Sequence, residues 1–242
     1  METILILIEY FKNKKILVFV AHPDDEVLGL GGTIHKLIDK FKCEIGVVIL
    51  GEGITSRSDS RNVAKWENEL KKHRENIENA KNIIGYSFVN TYQFPDNRFD
   101  SVDLLDIIKV VEKEKNQFKP EIIFTHHGGD LNIDHRRTFE AVITATRPMQ
   151  SEIVKTIITF ETPSGTEWRA STDPHTFIPN IFFEITKHNL QVKINAMESY
   201  EYEKRNYPHP RSPEALEILA RRWGVAVGKE YAEAFCLVRG VY

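Results

Sequence analysis

The chain has 242 residues, 41% of them hydrophobic, and its 32 basic residues nearly balance 35 acidic ones for a net charge of −3. This length and apolar content can bury one full core, so we expect a single domain over residues 1–242. The mixed charge argues against a nucleic-acid or anionic-lipid partner and favours a small molecule. It leaves the formation of a homo-oligomer open.

We expect no export signal in the N-terminal segment. Residues 1–10 are apolar in places, but Glu2 and Glu9 interrupt them, and neither a basic segment nor a small-residue cleavage site accompanies them. No stretch of about 18 apolar residues occurs, so we expect no stable membrane insertion. Cys43 and Cys236 are too few for a disulfide framework. Together these features predict a cytoplasmic protein.

The predicted elements alternate between strands and helices. Residues 16–20 (ILVFV) form a buried strand in this prediction, 32–40 a helix and 43–50 (CEIGVVIL) a second buried strand. The order strand, helix, strand is typical of a parallel βαβ unit. Helices are next predicted over 61–84, ended by Gly85, and over 104–114.

The second half continues in the same way. Strands are predicted over 88–94, 121–127, 153–160 and 180–185. One helix is predicted to begin at His135. A last helix runs from Pro213 to about Trp223 and is capped by Ser212.

The helix predicted over 61–84 carries an arginine among its apolar residues. Leu70 and Ile77 lie on the apolar stripe, and Arg74 lies between them. One interpretation is an arginine whose stem covers the edge of the core. The other aims Arg74 into a pocket, where it contacts substrate or orders the loop at residues 51–60.

Polar side chains that can bind metal follow the first predicted strand. His22 and Asp25 come directly after it, and Pro23 turns the chain because it cannot continue a β-ladder. In an open α/β sheet, ligands bind at the carboxyl ends of the strands. The third buried strand also ends in histidine, and the loop beyond it leads to His135.

Two histidines stand out by position. His22 and His135 each lie just past a buried strand and beside aspartates, and with Asp25 they offer two nitrogens and one carboxylate. That set, with one position left for water, is the usual make-up of a catalytic zinc site. The sequence therefore predicts one Zn²⁺ ion per chain, although iron, cobalt or manganese can use the same ligands. Other histidines are expected on exposed helices or turns: His35, His73 and His188.

The motif AHPDDE after a first strand, with a later DH-containing loop (LNIDHRRT), resembles the LmbE or PIG-L family of zinc-dependent N-deacetylases. The segments HRENIENAKNIIG, FPDNRFD, PEIIFTH and KEYAEAF also look like family segments, so the similarity touches most of the chain. It implies an α/β fold with a Rossmann-like, open, mainly parallel sheet and helices on both faces. It also implies zinc held by His22, Asp25 and His135, and Asp24 as the general base.

The resemblance further implies an N-acetylated amino sugar as substrate, either free or attached to a lipid, a thiol-bearing aglycone or an antibiotic. Zinc lowers the pKa of bound water to about 7, and Asp24 can take the proton as that water attacks the acetamide carbonyl. Protonated Asp24 could then serve the leaving amine. Asp134 would serve best behind His135 or another ligand, fixing its tautomer, and Asp130 is a further candidate for such support or for substrate binding.

One position departs from the family pattern. Many members carry HPDH where this chain has NIDH, and the first histidine of that motif is thought to stabilise the oxyanion or move a proton. Asn132 can donate a hydrogen bond but cannot deliver a proton. Either Asp24 handles both proton steps, or His127 or His209 supplies the second, with His127 nearer along the chain. Arg57 and His209 are also candidates for substrate contacts.

Two other functions stay open. A nucleotide- or phosphate-binding module would use a glycine-rich turn, but Gly29, Gly31 and Gly32 do not form G-x-G-x-x-G directly after the strand, and the aspartates would repel phosphate. An amidase acting on a thiol-sugar conjugate would use the same machinery with a different pocket. The sequence does not specify the sugar.

Overall fold

The computed structural model describes residues 10–241, so the apolar N-terminal stretch, except Tyr10, lies outside the described residues. Within this range seven strands form one sheet in the order β3-β2-β1-β4-β5-β7-β6. The strands are β1 (Lys15–Val20), β2 (Glu44–Gly51), β3 (Phe88–Phe94), β4 (Ile122–His126), β5 (Thr156–Phe160), β6 (Ile181–Glu184) and β7 (Ala232–Gly240). Pairing is parallel from β3 to β5, whereas β7 is antiparallel to both β5 and β6. The predicted mainly parallel sheet is confirmed.

Six helices cover this sheet in the described range: α1 (Asp25–Phe41), α2 (Glu67–Ile84), α3 (Leu104–Phe118), α4 (Ile133–Ala145), α5 (Lys187–Glu198) and α6 (Pro213–Ala226). Alternate residues of β1 enter two different cores. Val18 packs in the core that contains residues of α1, α2 and α5, whereas Phe19 packs with α3 and α4. Both faces of β1 are therefore covered by helices, which is why its sequence is continuously apolar.

The strand order reverses between β1 and β4. From β1 the chain runs outward through β2 to β3, and then crosses back to place β4 on the other side of β1. In open α/β sheets this reversal leaves a crevice at the carboxyl ends of the two central strands, where ligands bind. The residues that follow β1 and β4 are those in which the sequence concentrates its histidines and aspartates.

The first helix begins earlier than the sequence suggests. It starts at Asp25 rather than Gly32, with an interruption at Leu30, where φ is −151°. Gly29, Gly31 and Gly32 therefore lie within the helix and not in a turn, and they allow close packing against it. A Cβ atom on Gly29 would lie 2.2 Å from Cδ2 of Phe160. The cost of glycine in a helix is offset by this close approach to β5.

Other boundaries follow the predictions with small shifts. Strand β3 covers the predicted residues 88–94, and Ser212 caps α6 by accepting a hydrogen bond from Ala215 N at 3.1 Å. Two elements, α5 and β7, are not predicted from the sequence. No helix among the described residues combines the length and apolar character that a bilayer span requires.

Candidate active site

A cluster of histidines and aspartates lies at the carboxyl ends of β1 and β4. His22 lies in the turn that follows β1, Asp25 is the first residue of α1, and His135 lies in the first turn of α4. Asp25 is 1% exposed and His135 4%, and the side chain of His22 is 12% exposed. The fold thus brings the three predicted metal ligands together at the crevice.

Three atoms of this cluster face one another at nearly equal distances. Asp25 Oδ2 lies 3.5 Å from His22 Nδ1 and 3.4 Å from His135 Nε2. The two histidine nitrogens are 3.3 Å apart. Zinc–ligand distances of about 2.0–2.1 Å in a tetrahedron place neighbouring ligand atoms roughly 3.3 Å apart. The donor set fits a tetrahedral ion with a fourth position left for water or substrate.

A second layer of carboxylates lies behind the two histidines. His22 Nε2 is 2.9 Å from Asp134 Oδ2, and His135 Nδ1 is 3.1 Å from Asp130 Oδ1. Asp130 also accepts a 2.5 Å hydrogen bond from the Thr166 hydroxyl. Such carboxylates fix the ring orientation and tautomer of a metal-binding histidine. The sequence expects Asp134 behind a ligand; in the structure it lies behind His22, and Asp130 takes the place behind His135.

The carboxylates give this site a potential that favours a cation. Burial alone would lower the pKa of His135, but the charges of Asp25 and Asp130 raise it to about 9. Burial also opposes the charge on Asp25, yet the nearby His135 and His126 hold the pKa of that carboxyl well below its usual range. The same carboxylates that favour a proton on the histidine would favour a divalent ion in its place.

His126, the last residue of β4, is fully buried and packs against the cluster. Its ring stacks on His135 with centroids 3.9 Å apart. Its Nε2 accepts a hydrogen bond from Ala21 N at 2.9 Å, and Nδ1 lies 3.0 Å from Thr162 Oγ1. Burial and the charge of His135 lower the pKa of His126 to about 4. Both ring nitrogens are therefore in use, and the ring is neutral.

His127 does not take the position predicted for a second catalytic residue. Its Nε2 lies 2.7 Å from the carbonyl of His175, and its ring packs on Phe177 at 5.3 Å. Consecutive residues at a strand end point to opposite sides, so only one of the two histidines can face the cluster. That residue is His126, and the prediction for His127 is corrected accordingly.

Asp24 lies in a strained turn between the candidate ligands His22, which follows β1, and Asp25, which begins α1. Its φ is 104°, and its side chain makes no capping hydrogen bond to α1. Instead, Oδ2 accepts a hydrogen bond from a guanidinium nitrogen of Arg211 at 2.9 Å. Burial raises the pKa of Asp24 well above its usual value, and the charge of Arg211 opposes this rise. A non-glycine residue with positive φ costs about 1–3 kcal/mol and is typical of functional sites.

Arg211 is a residue of this site that the sequence does not reveal. Besides Asp24, its guanidinium binds Glu203 Oε2 at 2.6 Å and Ser164 Oγ at 2.8 Å. These partners come from three distant parts of the chain. The only local signal is its place directly before the helix cap Ser212, and that signal is weak.

A cavity of about 110 Å³ opens beside the cluster. His22, Asp24 and His135 line it, as do Arg57 and Asn132. Arg57 donates to Glu203 Oε1 at 2.6 Å. The amide of Asn132 is occupied, because its oxygen caps α4 by accepting from Asp134 N at 2.8 Å and its nitrogen donates to Asn97 Oδ1 at 2.9 Å.

Helix α2 places His73, and not the predicted Arg74, at the cavity beside the cluster. Arg74 is exposed and lines a neighbouring, larger cavity rather than the one beside the cluster. His73, expected on the surface, is 2% exposed and lines both cavities. Positions 73 and 74 both fit the i, i+3, i+4, i+7 spacing of the stripe through Leu70 and Ile77, so the sequence pattern alone does not choose between them; in the structure the buried residue is His73.

His209 lies beside the site but outside the lining of its cavity. Its Nδ1 accepts a hydrogen bond from Arg211 N at 3.2 Å, and its ring packs against Trp168 at 5.7 Å. Its contact is therefore with the loop that carries Arg211.

Comparisons with known proteins show the family of this chain. The family model for GlcNAc-PI de-N-acetylase (PIG-L) matches residues 17–146. The uncharacterized deacetylase YaiS of Escherichia coli K12 is 27% identical over 195 residues, covering 78% of this chain and 92% of that protein. The diacetylchitobiose deacetylase of Thermococcus kodakarensis is 26% identical over 248 residues, covering 95% of this chain and 85% of that protein.

A solved structure shows that the fold is shared more widely. The crystal structure of a 4-carboxy-2-hydroxymuconate hydratase from Pseudomonas putida KT2440 superposes with a TM-score of 0.72 at 21% identity, covering 95% of this chain and 98% of that chain. At this identity the likeness concerns the fold alone. The reaction must therefore be argued from the site.

Proposed function

Because the chain belongs to the PIG-L family of GlcNAc-PI de-N-acetylases, we propose that it hydrolyses the acetamide of an N-acetylated amino sugar, releasing acetate and the free amine. One observation carries the proposal. The two histidines of the candidate metal site and the carboxylate of Asp24 line the same small cavity. A metal site and a proton acceptor on one cavity are the two components that amide hydrolysis by water requires.

We propose that His22, Asp25 and His135 hold one Zn²⁺ ion per chain. Their donor atoms lie within 4.8 Å of one another, and their mutual distances match a tetrahedral ion. When bound, zinc would polarise the acetamide carbonyl and lower the pKa of water. Asp130 and Asp134 would hold the two histidine rings in the orientation that presents these nitrogens.

Asp24 is proposed as the general base. Its carboxylate is buried at the cavity and held by Arg211, so it can accept the proton of the attacking water in a fixed geometry. Burial raises its pKa and makes it a stronger base than an exposed aspartate. The charge of Arg211 opposes this rise in pKa and favours the ionised carboxylate that a base requires.

The same residue is proposed to protonate the leaving nitrogen. His127 and His209 lie outside the cavity lining, and the nitrogens of His126 are occupied by Ala21 and Thr162. Asn132 cannot deliver a proton, and its amide groups already bond within the protein. Asp24 therefore handles both proton steps in this proposal.

The two rival functions are weighed by the same geometry. A phosphate-binding role would place phosphate beside the carboxylates of Asp24, Asp96 and Glu203. The two arginines of the same lining, Arg57 and Arg211, are already paired with Glu203 or Asp24 and leave no free cation for the phosphate. A thiol-sugar amidase would use the same cluster and differ only in the group that leaves. Only substrate tests separate it from a deacetylase.

The test is acetate release measured over a panel of free, lipid-linked and nucleotide-linked N-acetylhexosamines, with a thiol-sugar amide included. Acetate from at least one N-acetylated sugar, lost in the Asp24→Asn variant, supports the proposal. Cleavage of the thiol-sugar amide alone would favour the amidase. Turnover of no member of the panel by metal-loaded protein would contradict the proposed deacetylation.

A further inference from the structure

A second cavity of about 430 Å³ adjoins the candidate active site. Pro23 and His73 line both cavities, so the larger one begins where the smaller one ends. It lies between α2 and the carboxyl ends of β2 and β3. A ligand whose acetamide reached His22 would extend toward this space if it carried a further group.

The walls of the larger cavity are mainly apolar, and its few charged side chains include more carboxylates than cations. Val63, Leu70, Ile77 and Tyr92 form its apolar surface. Its charged lining residues are Glu52, Glu67 and Arg74. Glu52 is already paired, since Arg61 donates to both of its oxygens at 2.9 Å. Among the described residues, Arg74 is the one cation that lines the space, and two carboxylates accompany it, so the cavity does not suit a phosphate.

His73 marks the junction between the two cavities. It is 2% exposed, and neither ring nitrogen has a hydrogen-bond partner among residues 10–241. The nearest ionic group, Glu203 Oε1, lies 3.5 Å from Nε2, which is longer than a normal N–H···O bond. A buried imidazole without partners is costly, and a ligand hydroxyl at the junction would satisfy it.

We propose that the larger cavity binds an uncharged, apolar aglycone attached to the amino sugar, and that His73 hydrogen-bonds the sugar near the linkage. This inference rests on the proposed function for its substrate, but the cavity itself can be tested without hydrolysis. A cavity of this kind would disfavour nucleotide- and phosphate-linked sugars as substrates. The enzyme would then prefer glycosides with an apolar aglycone to the free sugar.

The binding test uses phenyl β-D-glucoside, which has the aglycone and no acetamide. By calorimetry, wild-type protein should bind it at least about tenfold more tightly than glucose, because the phenyl ring buries apolar surface. Val63→Trp fills the cavity from its exposed rim and should remove most of this difference. Ile83→Trp is the matched control, since Ile83 is 38% exposed against 40% for Val63 but does not line the cavity. Equal weakening by both variants, or no preference in wild type, would overturn the inference.

The kinetic test compares kcat/KM for acetate release from N-acetylglucosamine, its phenyl glycoside and its 1-phosphate. The phenyl glycoside should be the best substrate, and Val63→Trp should lower its advantage by about tenfold. His73→Phe should lower kcat/KM for all three, and His73→Gln should restore part of it. A preference for the 1-phosphate would overturn the inference. Binding of the phenyl glucoside without any acetate release would instead contradict the proposed deacetylation and leave the cavity as a glycoside site.

Discussion

The guanidinium of Arg211 holds the carboxylate of Asp24 at 2.9 Å, although 187 positions separate the two residues in the chain. The same nitrogen binds Glu203 at 2.6 Å, and the Nε atom binds Ser164. Burial raises the pKa of Asp24 well above its usual value, and the charge of Arg211 opposes this rise. Arg211 therefore favours the ionised carboxylate that the proposed role of Asp24 as a base requires.

Replacing Arg211 should test this relationship. We expect Arg211→Gln to lower kcat/KM for acetate release by about 10- to 100-fold, the usual worth of a hydrogen bond to a charged group. Arg211→Lys keeps the charge but cannot contact all three partners, so its loss should be smaller. Metal content measured by elemental analysis should stay at the wild-type value in both variants, because no metal ligand changes. Wild-type activity in Arg211→Gln would contradict the role assigned here.

The two neighbouring aspartates should separate metal binding from proton transfer. Asp25→Asn should lose both the metal and the activity, because its Oδ2 atom is one of the three donors. Asp24→Asn should keep the metal and lose activity by about 10²-fold or more. Asp24 makes no capping bond to α1, so a purely structural role would leave activity almost unchanged. Loss of metal in Asp24→Asn would exchange the roles of the two residues.

The centre of the fold and of the site could be predicted because its residues are contiguous. Strand β1 is buried on both faces, so its apolar run marks it, and the polar residues after it mark the crevice. His135 could be assigned because it also follows a buried strand. The sequence could not show which of His126 and His127 faces the cluster. That depends on the residue at which β4 ends, because a shift of one residue along a strand turns a side chain to the opposite face of the sheet.

The remaining parts depend on long-range packing. Helix α5 has a weak apolar stripe, because Asn189 and Lys193 lie on its buried face. Lys193 is accepted there because its ammonium pairs with Glu233 at 2.6 Å, a partner 40 positions away. No local sequence pattern indicates that β7 lies between β5 and β6 in the sheet. Glu203 and Arg211 lie in the segment between α5 and α6, whose position depends on the packing of these helices, so the sequence does not reveal their place in the site.

The carboxylate behind His135 should tune metal affinity. Asp130 lies 3.1 Å from His135 Nδ1 and is fully buried. We expect Asp130→Asn to weaken zinc binding by about 10- to 100-fold, measured by competition with a chelator, because the ring loses its anionic partner. Asp100→Asn serves as the control, since Asp100 is exposed and lies outside the cluster. Equal zinc affinity in both variants would argue against the ligand assignment of His135.

Glu26 should make the stability of the protein depend on pH. It is fully buried behind the active-site turn, where its Oε1 accepts a hydrogen bond from the Tyr200 hydroxyl at 2.6 Å. Burial raises the pKa of Glu26 to about 7 from its ordinary 4.5, although the bond from Tyr200 opposes this. A carboxyl with a raised pKa in the folded state favours folding when protonated. Its ionisation therefore lowers stability progressively as pH rises from about 4.5 to about 7, with no further loss above that range.

The variant Glu26→Gln isolates this effect. Glutamine has nearly the same shape and can still accept a hydrogen bond from Tyr200, and its amide does not ionise between pH 5 and pH 8. It loses the weak 3.3 Å contact with Asp24 N, but that cost does not change with pH. The unfolding free energy of the variant, relative to wild type, should therefore increase by roughly 2 to 3 kcal/mol between pH 5 and pH 8. Urea unfolding of chelator-treated proteins measures it, with Glu140→Gln as an exposed control that should show little change. A difference that stays constant with pH would mean that Glu26 is ionised in the folded protein throughout this range.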